Sequence, residues 1–190
     1  MDAELDLSWL PIEKEGHMFP SKKTCDAWRQ IKEMTDFKSV TEIGFNVGHS
    51  SSIMLSLFDD VTVTAYDIAQ YAQTIMGEER VKERFGNRFQ FICYNSYYLR
   101  KHYLEQKIKV EKTDLFFIDG NHRTFFAESD LRLAKEIGFK YVLIDDYDLP
   151  QINKLAKKYF STFIKSWKYD CQHNPEKFSK VKMVLCVNDV

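Results

Sequence analysis

The sequence predicts an α/β protein: a mostly parallel seven-stranded sheet with helices on both faces and an antiparallel C-terminal hairpin. Three observations predict it. Between Ser39 and Phe160, β-branched or aromatic runs alternate five times with helical periods, the pattern of parallel strands joined by helical crossovers. Two further strand-like runs then follow one another with no helical period between them, and such a pair forms most simply an antiparallel hairpin at the sheet edge. Finally, 190 residues of 44% apolar and 29% charged composition make a single globular domain over 1–190, too short for two full-sized ones.

Residues 1–20, with Pro11, Gly16 and Pro20, read as an irregular arm. Its Trp9, Met18 and Phe19 make it a candidate lid or, equally, a cover packed on the first helix. Residues 21–38 hold that helix, capped by Ser21 or Thr24, with Cys25, Trp28, Ile31 and Met34 on its apolar face. Residues 39–148 form the binding core. There a strand at Ser39–Ile43 precedes a helix at Ser50–Phe58. The β-branched run Val61–Tyr66 is a second strand, followed by helical turns from Ala69 to Phe85. Arg88–Tyr94 is a third strand, with a helix near Tyr97–Leu104. Leu115–Ile118 is a short buried strand, and Thr124–Ile137 a helix with Phe125, Leu131, Leu133 and Ile137 inward. Tyr141–Ile144 is a fifth strand. Residues 149–190 then supply a helix at Ile152–Phe160 and the hairpin strands Phe163–Tyr169 and Val181–Val187.

Composition excludes several classes. Cys25, Cys93, Cys171 and Cys186 are widely spaced with no CxxC pair, which argues against a disulfide scaffold or cysteine-rich zinc module and for reduced thiols. No apolar run reaches the ~20 residues of a membrane helix. The acidic start, with Asp2, Glu4 and Asp6, lacks the basic region of a signal peptide, so a cytoplasmic protein is expected. From Gln151 to Lys182, eight lysines face only Asp170 and Glu176. Such a run usually solvates a surface, and alone it does not support nucleic-acid binding.

In an open α/β sheet, ligands bind beyond the carboxyl ends of the strands, where strand order reverses. The residues that follow each strand therefore carry the functional signal. After the first comes Glu42-Ile43-Gly44-Phe45-Asn46-Val47-Gly48-His49-Ser50, with two of the chain's seven glycines in one turn. Glycine permits close backbone approach, and the following helix points free N–H groups at the same place. The spacing is GxxxG; Asn46 stands where a dinucleotide-binding GxGxxG would place a glycine, which counts against a nicotinamide-dependent oxidoreductase. The second strand ends in Tyr66-Asp67-Ile68, and Asp67 lies 23 residues after Gly44, where such sites hold ribose hydroxyls. Asn95 and Ser96 follow the third strand and suit either an adenine edge or a helix cap. Asp119-Gly120-Asn121-His122 ends the fourth strand and Asp145-Asp146 the fifth. Adjacent strands are ~4.8 Å apart, so these carboxylates face one another and call for protons or a hard cation. His122 is a candidate ligand, base or orienting partner.

Taken together, EIGFNVGHSS, YDI, DLFFIDGNH and VLIDDYD, in order from Thr41 to Asp148, resemble the class I S-adenosylmethionine-dependent methyltransferases, with most likeness to the methyltransferase domain 24 group of sugar and antibiotic O-methyltransferases. The resemblance implies a Rossmann-like methyltransferase fold. It implies that S-adenosyl-L-methionine is held by Glu42, Gly44, Phe45, Asn46, Gly48, His49, Ser50, Asp67, Ile68, Asn95, Ser96 and Asp119. It further implies Mg2+ or another divalent cation on Asp119, Asp145 and Asp146, with Asp119 and His122 catalytic toward a small-molecule hydroxyl, of sugar or phenol type. A homodimer is compatible with such folds. The competing reading on the same fold is a cofactor- or protein-binding module without catalysis.

Overall fold

The structure, a computed structural model, describes residues 5–11, 18–171 and 182–188. Helix α1 (Lys22–Thr35) is capped by Ser21, whose side chain accepts the Thr24 amide. Strand β1 (Ser39–Ile43) leads through the glycine turn into α2 (His49–Leu57), and β2 (Thr62–Asp67) into α3 (Ala72–Phe85). A 3-10 turn at Gly86–Arg88 precedes β3 (Phe89–Cys93) and α4 (Ser96–Leu104). There follow β4 (Leu115–Ile118), α5 (Thr124–Ile137), β5 (Tyr141–Ile144), α6 (Pro150–Tyr159), β6 (Thr162–Lys168) and β7 (Lys182–Val187).

The seven strands lie in the order β3-β2-β1-β4-β5-β7-β6. The first five run parallel, whereas β7 pairs antiparallel with both β5 and β6. Strand order reverses between β1 and β4, so the crevice above these two strands is where this topology places a ligand. Period-two alternation sends Leu115 and Phe117 to one face of the sheet and Phe116 and Ile118 to the other. The first face is covered by α1, α2 and α3 through Trp28, Ile31, Ile53, Met54 and Val81. The second is covered by α4, α5 and α6 through Leu99, Leu131, Ala134, Ile152 and Leu155. Each large side chain so buried contributes about 1.5–3 kcal/mol.

The differences from expectation have local causes. Helix α3 begins at Ala72 rather than Ala69, because Ala69 sits in the left-handed region at φ 52° with its amide bonded to Asp67 Oδ1. Helix α6 begins earlier than expected, at Pro150, since proline's fixed φ suits a first helical position. Met34 and Phe125, expected inward, are 40% and 59% exposed. Met34 lies in the last turn of α1, and Phe125 in the first turn of α5, where it packs on Tyr97 with ring centroids 4.6 Å apart. Val181 lies outside the described residues.

Of the arm, read as either a lid or a cover, residues 1–4 and 12–17 lie outside the description. In the described part Leu7, Leu10 and Met18 are buried in the core, and Trp9 packs on Phe85. Met18 bridges Cys171 in antiparallel fashion, and the Phe19 amide donates to the Asp170 carbonyl. Asp170 also accepts from Ser21 Oγ at 2.6 Å and Lys23 Nζ at 2.9 Å. Lys154, Lys157, Lys158, Lys165 and Lys168 are exposed, as a solvated face requires, while Lys177 and Lys180 lie outside the description. No disulfide joins any of the four cysteines, and no helix among the described residues is long and apolar enough to cross a membrane.

Candidate functional site

The carboxyl ends of β1, β2, β3 and β4 open into a cavity of about 690 Å3, a size that suits a nucleoside-sized ligand. Gly44, Phe45, Asn46, His49, Ser50, Asp67, Ile68, Asn95, Ser96, Asp119 and His122 line it; Glu42, Gly48, Asp145 and Asp146, also expected at the site, are not among its lining residues. Met18 closes one side, and its Sδ accepts from Trp28 Nε1.

The two turn glycines serve the protein's own packing. Gly44 has φ 93°, and a Cβ there would lie 2.0 Å from the Asp119 carbonyl oxygen. The close approach is thus between the ends of β1 and β4. Gly48 has φ 90°, and its missing Cβ is replaced by the Phe45 ring. That ring turns into the core to stack on Phe89 at 5.3 Å, so Phe45 offers the cavity chiefly its backbone.

Asp67 braces this turn. Its Oδ2 accepts the Phe45 and Asn46 amides, both at 3.0 Å, and Oδ1 accepts the Ala69 amide at 2.8 Å. A carboxylate has about four lone-pair directions, so one remains for a hydroxyl in the cavity. Glu42 lies beneath, fully buried, accepting from the Ser50 and Ser51 hydroxyls. Burial pushes its carboxyl up to about 7, against the pull of those two hydroxyls. Asn95 takes the capping role: its Oδ1 accepts the Tyr97 amide at the start of α4.

The acidic cluster assembles where β4 and β5 end side by side. Ligand atoms of Asp119, His122 and Asp146 all come within 4.8 Å of one another. His122 Nε2 lies 2.6 Å from Asp146 Oδ2. Burial opposes the imidazolium, but the hydrogen bond and charge of Asp146, with Asp145 and Asp148 behind, raise its pKa above the usual range. Burial and the charges of Asp145, Asp146 and Glu42 hold Asp119 well above the usual carboxylate range. Asp145 is buried: Tyr169 donates its hydroxyl to Oδ2 at 2.5 Å, and Oδ1 has no protein partner. The carboxylates of Asp119 and Asp146 with the His122 imidazole form a donor set that could hold a divalent cation; Asp145, expected as a third ligand, is not part of that converging group, although its buried Oδ1 is unpartnered.

Two functional candidates escaped the sequence reading. Tyr169 follows β6, far from Asp145 in the chain, and only the β5-β7-β6 order brings them together. Asp130 lies on the inner face of α5, 1% exposed, with neither carboxylate oxygen hydrogen-bonded. An apolar-to-polar break at an inward helical position (Ala127, Asp130, Leu131, Ala134) was the available signal. Burial raises Asp130 to about 7, with the Ser96 hydroxyl pulling the other way.

Glu42 and Asp130 give the protein a testable pH dependence. Below about pH 4 both groups are protonated whether the chain is folded or not. Between about pH 4 and 7 the unfolded chain releases these protons while the folded one keeps them, so stability falls as pH rises. The upper bound is about 3 kcal/mol for Glu42 and about 4 kcal/mol for Asp130. Urea midpoints should accordingly be higher at pH 5 than at pH 8, and Glu42→Gln should flatten the slope. A midpoint that climbs across this window contradicts the assignment.

No family model matches the sequence, and a search of curated proteins finds no match. Solved structures do match by fold. A putative caffeoyl-CoA O-methyltransferase from Staphylococcus aureus superposes with a TM-score of 0.60 at 16% identity, over 95% of this chain and 87% of that one. The Burkholderia thailandensis 1,6-didemethyltoxoflavin-N1-methyltransferase, bound to its substrate and S-adenosylhomocysteine, gives 0.59 at 13% identity, over 88% and 79%. The pyocyanin biosynthetic protein PhzM gives 0.60 at 10% identity, over 85% of this chain; the chain spans about half of its length, 54%. At these identities the likeness is one of fold, and the fold is the Rossmann-like methyltransferase fold.

Proposed function

We propose that this chain is an S-adenosylmethionine-dependent methyltransferase acting on a small-molecule hydroxyl, of sugar or phenol type, with help from a divalent cation. The observation that carries the reading is a single cavity joining two chemistries. The glycine turn with Asp67 lines one part, and Asp119 and His122, backed by Asp145 and Asp146, line another.

Bound S-adenosylmethionine supplies a methyl already activated on a sulfonium, so the protein's work is alignment. In this reading Asp67 receives a ribose hydroxyl on its remaining lone pair, and Ile68 lies against the base. Asn95, its oxygen committed to the cap, offers its amide N–H groups to a ring nitrogen, and Ser96 stands beside it. The turn residues Gly44 to Ser50 contain the methionine part. Asp119, Asp145 and Asp146 would hold Mg2+ or a similar cation, which when bound lowers the pKa of an acceptor oxygen. His122, whose proton affinity is raised by Asp146, receives the hydroxyl proton as general base.

Calorimetric titration with S-adenosylmethionine and S-adenosylhomocysteine, in magnesium and then in EDTA, tests the reading. Micromolar affinity for both nucleosides is expected, together with magnesium-dependent methylation in a screen of hydroxyl acceptors. Binding of neither nucleoside overturns the cofactor assignment. Binding with no turnover on any acceptor in any divalent ion favours the non-catalytic module.

A further inference from the structure

Tyr169 brings to the acidic cluster a hydroxyl that the proposed chemistry does not use. The side chain is buried, and it donates to Asp145 Oδ2 at 2.5 Å. Strand β6 does not neighbour β5, so this contact reaches across β7. The residues that follow hold Tyr169 in place. The Asp170 carboxylate accepts from Ser21 Oγ and Lys23 Nζ, its carbonyl accepts the Phe19 amide, and Cys171 bridges Met18. The fold thereby delivers the hydroxyl to Asp145 with little freedom left to it.

Asp145 receives that hydroxyl in a costly state. It is 4% exposed, and its other oxygen, Oδ1, has no partner among the described residues. A buried carboxylate satisfied at one oxygen alone costs more than an apolar side chain of similar size. Its neighbours indicate what the free oxygen can serve. Strands β4 and β5 pair Ile118 with Ile144, and the Asp145 amide donates to the Ile118 carbonyl at 2.9 Å. Asp119 and Asp145 therefore leave adjacent strands side by side, and Asp146 converges on Asp119 from the same turn.

We propose that Tyr169 is a positioning residue: by holding Oδ2 it fixes the Asp145 carboxylate and leaves Oδ1 to a divalent cation beside Asp119 and Asp146. The inference rests on the divalent-cation reading above. A carboxylate free to turn loses that freedom each time an ion binds, whereas one already held does not. The phenol donates one hydrogen bond and adds no charge, so it orders Asp145 and leaves the negative charge for the ion.

The test titrates Mn2+ alone, by calorimetry, into the full chain stripped with EDTA and dialysed, as wild type, Tyr169→Phe, Asp145→Asn and the double variant. Tyr169→Phe should bind the ion about tenfold more weakly than wild type, the lower range for losing a partner that orients a ligand. Asp145→Asn should lose at least about tenfold, and the double variant should bind no more weakly than Asp145→Asn, since both residues act through one carboxylate. A Tyr169 that only supported the fold would lower the melting temperature and leave the ion affinity of the folded protein unchanged. Equal affinity in wild type and Tyr169→Phe overturns the inference while leaving the cation reading intact. A further tenfold loss on adding Tyr169→Phe to Asp145→Asn does the same. Wild-type protein that binds no Mn2+ overturns both. If Tyr169→Phe fails to fold, Asp145→Asn alone decides: wild-type affinity there removes the carboxylate that Tyr169 is said to hold.

Discussion

Gly44→Ala should abolish S-adenosylhomocysteine binding and lower stability by roughly 4 kcal/mol, near the top of what single substitutions cost. Two independent reasons converge on this position. The backbone there has φ 93°, a conformation that strains any residue with a Cβ. The added carbon would also lie 2.0 Å from the Asp119 carbonyl oxygen and 2.9 Å from the Gly120 Cα. These are backbone atoms, held by the Asp119 amide's hydrogen bond to the Ile43 carbonyl at 2.8 Å, and no side-chain rotation relieves the overlap. The ends of β1 and β4 must separate, which spreads the cavity at the point where turn and acidic cluster meet. Denaturant melts and calorimetry check both halves. Gly86 also has a positive φ, 56°, but open space around it; Gly86→Ala therefore carries the backbone strain without the overlap and should leave binding unchanged. Wild-type affinity in Gly44→Ala contradicts the placement of the turn.

Asp119→Ala should reduce divalent-dependent turnover by about a thousandfold, the upper range for losing one preorganised electrostatic contact. Nucleoside affinity should stay within a few-fold of wild type, because the Asp67 contacts are untouched. The apo protein should melt higher. Asp119 is a fully buried carboxyl beside Asp145, Asp146 and Glu42, and removing it removes the cost of burying and ionising that group among like charges. This opposite movement of activity and stability distinguishes a functional carboxylate from one that merely supports the fold. Full turnover in Asp119→Ala would falsify the metal-assisted mechanism; lower stability together with low activity would point to a structural role.

Much of this was legible in the chain because the relevant signals are local. The alternation of Val61–Tyr66 or Tyr141–Ile144 with helical periods is written in neighbouring residues, and so is the return of the last two strands without a helix. The polar groups at the strand ends were legible for a topological reason: parallel strands present all their carboxyl ends at one edge. Topology alone therefore assigns Asp67 and Asp119 to one crevice, and both line it. Orientation was not legible. Phe45 sits within the turn, yet its ring belongs to the core with Phe89, because Gly48 leaves room for it. Asp145 and Asp146 are adjacent, yet Asp146 meets His122 while Asp145 meets Tyr169. Which of two neighbours turns inward depends on partners supplied by distant strands. Asp130 is hidden for a similar reason, since a polar residue on a helix gains meaning only from what the helix rests against.

The junction at 169–171 has a further consequence, for the order in which the molecule assembles. Met18 in the arm bridges Cys171, Phe19 and Ser21 bond to Asp170, and Tyr169 reaches Asp145. A ribosome emits the arm some 150 residues before its docking partner, so the bond from Ser21 to Asp170 waits for almost the whole sheet. Closing a loop of that length is slow, because its entropy is lost before its contacts form. The parallel strands, built from nearer neighbours, gain a scaffold earlier. The Met18 side of the cavity and the tether on Asp145 are therefore expected to form last and to loosen first under denaturant, which hydrogen exchange of the 169–171 amides would report. An emerging chain carries an incomplete crevice until that closing contact is made.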